Sequence, residues 1–207
     1  MPLQNRVTPF GELIATPARG TLMGNRGCLH DAQQRIRRPF AVERWIICVL
    51  EFKGRRRPLM MPGRYTELFF LDEATALAAG HRPCVECQRA RYQTFREHWV
   101  ATRPPMAAAP SADRIDRVLH GERLTATRAR RTYAERLSRV PDGAMVADRD
   151  HRPWLVYEGA LRPWSPAGYG PAVRLDGAAE LTVLTPPSLV AVLAHGYPVE
   201  VHASARS

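Results

Sequence analysis

Two cysteines three positions apart, Cys84 and Cys87, constrain the fold of this chain more than any other sequence feature. They follow a predicted short helix, for which Asp72 is a suitable N-cap and Gly80 a suitable left-handed C-terminal residue. A second helix is predicted directly after the pair, over about 88–100. Two thiolates on a turn that enters a helix can bind one zinc ion, and the helix N-terminus lowers their pKa. The pair therefore predicts half of a zinc site.

Two other interpretations of the pair are open at the level of the sequence. A thioredoxin-like redox motif requires a preceding strand in a βαβ context, whereas a helix is predicted before Cys84. Alternatively, the two residues are ordinary buried thiols. A disulfide scaffold is excluded, because four cysteines in 207 residues are too few for that class.

The rest of the chain predicts an α+β protein in three parts. Residues 1–100 combine a glycine-rich N-terminal loop with strands over 43–53 and 64–70 and with the two helices. Residues 101–139 comprise a Pro/Ala-rich linker and a strongly charged helix. Residues 140–207 alternate short strand-like runs with turns, which predicts a small β-rich C-terminal module.

The segment from Tyr65 to Cys87, with its Ala-Gly-His-Arg-Pro-Cys-x-x-Cys block, resembles the second half of the Ada-type zinc-binding domain of bacterial methylphosphotriester DNA repair proteins. The resemblance covers about 43–95 and implies a small zinc-stabilised N-terminal unit in which Cys84 and Cys87 bind the ion. The family carries a further Cys-x3-Cys pair between its two strands, and one of those thiolates accepts the methyl group. The corresponding stretch here, 54–64, contains no cysteine, so only the second half of the site is carried over.

Other residues must complete the predicted zinc site. Cys28 and His30 are the predicted ligands, because a Cys-x-His pair on a flexible loop can supply one or two donors. Cys48 lies within an apolar strand and is expected to be an inert buried thiol. His81 replaces an aromatic residue of the resembled family and is expected to pack rather than coordinate.

The charge of the chain points to a polyanionic partner. Lys and Arg number 30 against 20 Asp and Glu, which gives a net charge of +10 and a pI near 10.3. All but one of the basic residues are Arg, whose planar fork binds phosphate oxygens at two points. Nucleic acid, DNA rather than RNA, is therefore the predicted partner. The residues predicted to contact it are Arg26, Arg55, Arg56, Arg57, Arg89 and Arg91.

A catalytic role for the zinc is the main alternative to simple binding. A zinc ion with three protein ligands and one open position activates water. His30, His120 and Glu122 are the candidate catalytic residues near such an ion, in a nuclease-like hydrolase or a transferase acting on nucleic acid. His120-Gly-Glu122 also matches the His-x-Glu element of zinc deaminases, although the Cys-x-x-Cys pair then precedes it rather than follows it.

The sequence as a whole predicts a zinc-containing DNA-binding protein that acts in DNA repair or processing. A basic interaction module with purely structural zinc is the third hypothesis. No run of 18 apolar residues is present, so no membrane span is predicted. The start of the chain lacks the apolar stretch of a signal peptide, and a cytoplasmic protein with reduced thiols is expected.

Overall fold

A computed structural model describes residues 1–54, 58–103 and 109–206 of the chain. Within these ranges the fold is α+β, with four α-helices and two six-stranded sheets. No helix in the described ranges is long and apolar enough to cross a membrane.

The first sheet is mixed and is built from the N-terminal part of the chain. Its strands are β1 (Gln4–Val7), β2 (Leu13–Ala15), β3 (Leu22–Asn25), β4 (Ile46–Cys48), β5 (Leu68–Phe70) and β6 (Arg82–Pro83). They are ordered β2-β1-β5-β3-β4-β6. The β1–β5 and β4–β6 pairs are parallel, and the other pairs are antiparallel.

The two faces of this sheet differ in exposure, as the alternation of side chains along a strand requires. Ile47, Leu68 and Phe70 are fully buried in the main core. Gly24 lies on β3 between β4 and β5, where an added Cβ would fall 2.1 Å from the Ile46 carbonyl oxygen. The absence of a side chain at Gly24 therefore permits the close approach of β4.

Up to residue 123, the helices lie where the sequence predicts them. They are α1 (Glu73–Ala78), α2 (Arg89–Ala101), α3 (Ala112–Arg123) and α4 (Pro187–Ala194). Asp72 caps α1 by accepting the Thr75 N–H at 2.8 Å, and Gly80 adopts a φ of 86° after its last turn. Both features are as predicted.

The charged helix predicted within 101–139 is shorter than expected. α3 ends at Arg123 because Leu124 is extended and pairs with Arg130 across a tight turn. Arg128 takes a φ of 62° in that turn, which a continuous right-handed helix does not allow. The chain then enters a strand instead of a further helical turn.

The second sheet contains the C-terminal strands and is antiparallel throughout. Its strands are β7 (Tyr133–Arg136), β8 (Met145–Ala147), β9 (Pro153–Tyr157), β10 (Ala160–Ser165), β11 (Gly168–Tyr169) and β12 (Glu180–Val183). They are ordered β11-β10-β9-β8-β12-β7. Two short 3-10 helices cover Leu137–Arg139 and Ala203–Ala205.

Helix α1 lies between the N-terminal sheet and the C-terminal sheet, and it is buried along its whole length. At its N-terminus, Asp72 accepts a hydrogen bond from the Tyr169 hydroxyl at 2.8 Å, and Glu73 accepts one from the Tyr197 hydroxyl at 2.6 Å. The main core likewise combines residues of both sheets with residues of α2, α3 and α4. The division into units 1–100, 101–139 and 140–207 stays a prediction.

Candidate metal centre

Two of the cysteines meet because two short strands run parallel. Strand β4 pairs with β6 so that Ile47 faces Pro83, and in each case the next residue is a cysteine. The Cys84 N–H donates to the Ile47 carbonyl at 2.8 Å, which extends the ladder by one residue. The carboxyl ends of neighbouring parallel strands therefore place Cys48 and Cys84 side by side.

Cys87 reaches the same point from the turn that leads into α2. The Gln88 side-chain amide donates to the Ile47 carbonyl at 3.0 Å, which fixes this turn against the end of β4. The sulfur atoms of Cys48, Cys84 and Cys87 all lie within 4.8 Å of one another. These three cysteines could therefore hold a metal ion.

The cysteine group has no competing cluster of possible metal ligands in the described residues. Within the described ranges, no other set of three or more Cys, His, Asp or Glu residues lies at this spacing. The residues outside those ranges are Arg, Pro, Met, Ala and Ser, so the chain has no further Cys, His, Asp or Glu to add.

The three thiols differ in pKa. The Cys48 thiol donates to Cys84, and this hydrogen bond, with those from the Cys87 and Glu86 backbone N–H groups, lowers the pKa of Cys84 to about 5. The pKa of Cys87 is also lowered, mainly by the Cys48 thiol. The pKa of Cys48 is raised, because its thiol donates to both partners and is buried. Thiolate character is therefore already favoured at two of the three sulfurs, as a metal ligand requires.

The cysteines lie at one side of a pocket of about 800 Å³. Its floor is the face of the first sheet opposite the core, where the cross-strand pairs of Met23 with Phe69 and of Asn25 with Ile46 are only partly buried. The remaining lining comes from the segment after β4, from Leu59 to Glu67 and from the cysteine turn: Val49, Leu50, Glu51, Phe52, Leu59, Tyr65, Glu67 and Glu86. A largely apolar floor with a few polar groups and a thiol cluster is typical of a ligand site.

Three carboxylates, Glu51, Glu67 and Glu86, line this pocket with the thiols. Glu67 is 2% exposed, and one of its carboxylate oxygens accepts the Met60 N–H at 2.8 Å. Glu86 is exposed and lies on the turn between Cys84 and Cys87. The pocket therefore offers both soft sulfur donors and oxygen acceptors to a bound molecule.

The predicted ligands Cys28 and His30 are not brought into the group. The Nδ1 atom of His30 lies 2.6 Å from the Thr66 hydroxyl, and its Nε2 atom lies 3.2 Å from the Met61 carbonyl oxygen. The Cys28 thiol donates to the His30 carbonyl at 3.7 Å. His30 holds the N-terminal loop on the segment before β5, whereas Cys28 bonds within that loop. Cys48 takes the place that was expected for them.

His120 and Glu122, predicted beside the metal, lie on α3 and are engaged elsewhere. His120 Nδ1 is 3.1 Å from the Arg123 guanidinium, and its ring packs edge-on against Phe40. Glu122 accepts the Ser188 N–H at 3.0 Å and also the Ser188 hydroxyl, so it caps the first turn of α4. Together with His30, these residues form no common site.

The predicted phosphate-binding arginines differ in how accessible they are to a partner. Arg26 is 2% exposed and therefore cannot meet a phosphate backbone at the surface. Arg91 is ion-paired with the buried Glu73, whereas Arg89 is exposed at the start of α2. The other three, Arg55, Arg56 and Arg57, lie outside the described residues.

Sequence reasoning missed Cys48 as a member of the site. Its apolar neighbours correctly indicated a buried strand, and the residue is 7% exposed. The missing information was the parallel pairing of β4 with β6, which is only two residues long. No local signal in the sequence indicated this pairing, because Cys48 lies within the predicted strand 43–53 and no strand is predicted directly before Cys84.

Comparisons of the chain with protein-family models, with curated proteins and with solved structures give no match.

Proposed function

We propose that Cys48, Cys84 and Cys87 bind one zinc ion. Thiolates select soft or borderline cations, and zinc binds them tetrahedrally at about 2.3 Å, with sulfur atoms about 3.8 Å apart. The three sulfurs lie within 4.8 Å of one another, so small side-chain rotations bring them to coordinating positions. Magnesium and calcium prefer oxygen ligands and do not fit this donor set.

The observation that carries the functional proposal is that three thiols, rather than four, line an open pocket. A structural zinc site is closed by four protein ligands, whereas a catalytic site keeps one position for water or substrate. In this proposal the protein is a zinc-dependent hydrolase or transferase whose substrate enters the pocket. A zinc ion in such a site lowers the pKa of bound water or polarises the bond that breaks.

The side chains around the thiols have separate tasks in this proposal. Glu51, Glu67 and Glu86 are the carboxylates within the pocket that can accept or deliver a proton. Met23 and Phe69 form the apolar floor, which limits the access of bulk water and strengthens electrostatic interactions at the metal. The net charge of +10 supports a nucleic acid as the substrate class.

Metal analysis and cobalt substitution test this proposal. Protein purified without added zinc should contain about one zinc per chain, and the Cys48→Ser and Cys87→Ser variants should lose it. Cys28→Ser is the matched control, because Cys28 lies outside the group, and it should keep its metal. Absence of zinc from the native protein would contradict the proposal.

The cobalt form then separates a catalytic site from a structural one. Cobalt bound to thiolates absorbs visibly, and the spectrum depends on the complete ligand set. A small ligand such as azide should change this spectrum if one position is exchangeable. An unchanged spectrum would instead support the interaction module with purely structural zinc.

A second candidate function, binding of DNA along its backbone, is favoured by a separate surface recess. Arg37, Arg38 and Arg128 line a polar recess of about 460 Å³ around Phe40. Arg37 also pairs with Asp31 at 2.7 Å, while the other two guanidiniums have no ion pair within the described residues. Phosphate contacts of this kind release counterions, so DNA affinity should fall steeply as salt rises. DNA affinity that does not change with salt would exclude this recess as the DNA contact. So would an unchanged affinity in the double variant Arg38→Gln/Arg128→Gln.

A further inference from the structure

A second unusual cluster lies at the opposite end of β4 and β6 from the cysteines. Trp45 precedes β4, His81 precedes β6, and Arg26 follows β3, whose residue Asn25 pairs with the first residue of β4. Two more arginines, Arg123 and Arg130, approach this end from the C-terminus of α3 and the turn after it. Arg26, Arg123 and His81 are at most 2% exposed. Arg26, Arg123, Arg130 and His81 together are called the guanidinium cluster.

The guanidinium cluster surrounds the C-terminal end of α1. Arg130 donates to the Ala78 carbonyl and Arg123 to the Gly80 carbonyl at 2.9 Å. Arg26 donates to the Gly11 carbonyl at 2.7 Å. Carbonyl groups at a helix C-terminus carry partial negative charge, so these contacts are favourable. They do not neutralise three full positive charges.

No carboxylate neutralises the cluster either. Within the described residues, Arg26, Arg123 and Arg130 form no salt bridge, although each is largely enclosed. Asp116 and Glu43 attract Arg123 electrostatically without forming a salt bridge with it. Asp116 is already engaged in a bidentate pair with Arg82 at 3.1 and 2.7 Å. Buried charges normally have partners, because an uncompensated ion in the interior is costly.

Several donor atoms of the cluster have no hydrogen-bond partner at all. They are the Nε atoms of Arg26, Arg123 and Arg130, the Nη1 atom of Arg130 and the ring nitrogens of His81, of which one donates when the imidazole is neutral; each of these atoms is buried. Guanidinium groups only donate, so each unpartnered atom requires an acceptor. A well-packed protein leaves few such groups.

Aromatic stacking compensates for part of the charge. The guanidinium carbons of Arg26 and Arg123 lie 4.5 and 3.9 Å from the centre of the Trp45 ring. Burial, together with the charge of Arg130, nevertheless lowers the pKa of Arg26 to about 9. Burial also lowers the pKa of Arg123 to about 9. The cluster therefore remains electrostatically strained after these contacts are included.

We propose that Arg26, Arg123, Arg130 and His81 bind a small inorganic anion, of the size of chloride, inside the folded protein. The anion supplies the acceptor that the buried Nε groups lack and part of the missing negative charge. His81 stays neutral beside three guanidiniums and contributes one ring N–H. Because the unpartnered atoms are enclosed, a small ion fits the cluster better than a phosphate or a carboxylate ligand.

Unfolding measured as a function of halide concentration tests this site. At constant ionic strength, exchange of sodium gluconate for sodium chloride should stabilise the folded protein, with about one chloride released per chain on unfolding. Above the dissociation constant, each tenfold rise in chloride should raise the ratio of folded to unfolded protein about tenfold. Stability that is independent of chloride would overturn the proposal, since water would then satisfy the donors.

A matched pair of variants separates this effect from general salt effects. Arg130→Met should lose the chloride dependence, whereas Arg131→Met, at the exposed neighbouring position, should keep it. If Arg130→Met does not fold, crystals of the native protein grown in bromide give an independent answer. An anomalous peak within hydrogen-bond distance of Arg123 and Arg130 supports the site, and its absence refutes it.

Discussion

The two ends of the β4–β6 pair bear opposite chemistry. At the carboxyl end, Cys48 and Cys84 gather sulfur donors that hydrogen-bond to one another beside an open pocket. At the amino end, the guanidinium cluster gathers enclosed donors, several of which have no hydrogen-bond partner. The first arrangement suits a cation with an exchangeable ligand, and the second suits a buried anion.

The difference shows that enclosure, as well as residue type, decides what a polar cluster can do. The thiols can exchange a ligand with the solvent through the pocket, so they are suited to chemistry. The guanidiniums are shielded from solvent, so their contribution is to stability. The same short strands position both clusters. Each cluster can therefore be tested separately by a substitution at its own end of the strands.

Loss of a thiol should have the largest effect. Cys84→Ser removes one of the three sulfurs and should weaken zinc binding by more than about 100-fold, the upper range for loss of outer-shell partners alone. Titration with a competing chelator measures this change. A Cys84→Ser protein that binds zinc as tightly as the native chain would show that the thiols are not the ligands.

Asp116→Asn should have the next largest effect, at the amino end. It removes the carboxylate that pairs with the buried Arg82 and should cost about 3–5 kcal/mol of unfolding free energy. Asp113→Asn, on the exposed surface of the same helix, is the control and should cost less than about 1 kcal/mol. Urea denaturation measures both, and similar losses in the two variants would refute the role of the pair.

Gly80→Ala should have a moderate effect on the same end. The residue has a φ of 86°, and an added Cβ would lie 2.8 Å from Cδ of Arg123. The left-handed conformation alone costs about 1–2 kcal/mol for alanine. Gly121→Ala, within α3 and with no atom nearby, should instead stabilise the protein by about 0.5–1 kcal/mol. Thermal unfolding distinguishes these opposite signs, and a neutral Gly80→Ala would contradict the packing described for Arg123.

Cys28→Ser should have the smallest effect. The Cys28 thiol makes one weak hydrogen bond to a carbonyl and lies outside the metal group, so its loss should change stability by less than about 0.5 kcal/mol. Zinc content should be unchanged. A large loss of zinc in Cys28→Ser would restore Cys28 as a ligand.

The sequence predicted local structure better than it predicted the site. The cap at Asp72, the left-handed Gly80 and helix α2 depend on neighbouring residues, and all are confirmed. The end of α3 was not predicted, because the turn that carries Arg128 is stabilised by pairing across it.

The site was predicted only in part for a related reason. Cys84 and Cys87 are near in sequence, so their spacing alone brings them together. Cys48 joins them through pairing of strands that are separated by more than thirty residues of chain. His30 and Arg26 satisfied the chemical criteria for function, but Thr66, Met61 and Trp45 engage them in packing.

X-ray absorption at the zinc edge of the purified protein tests the central claim most directly. The zinc ion should have three sulfur neighbours at about 2.3 Å and one oxygen or nitrogen neighbour at about 2.0 Å. Four sulfur neighbours, or a shell of oxygen and nitrogen alone, would contradict a site built from Cys48, Cys84 and Cys87 with one exchangeable position.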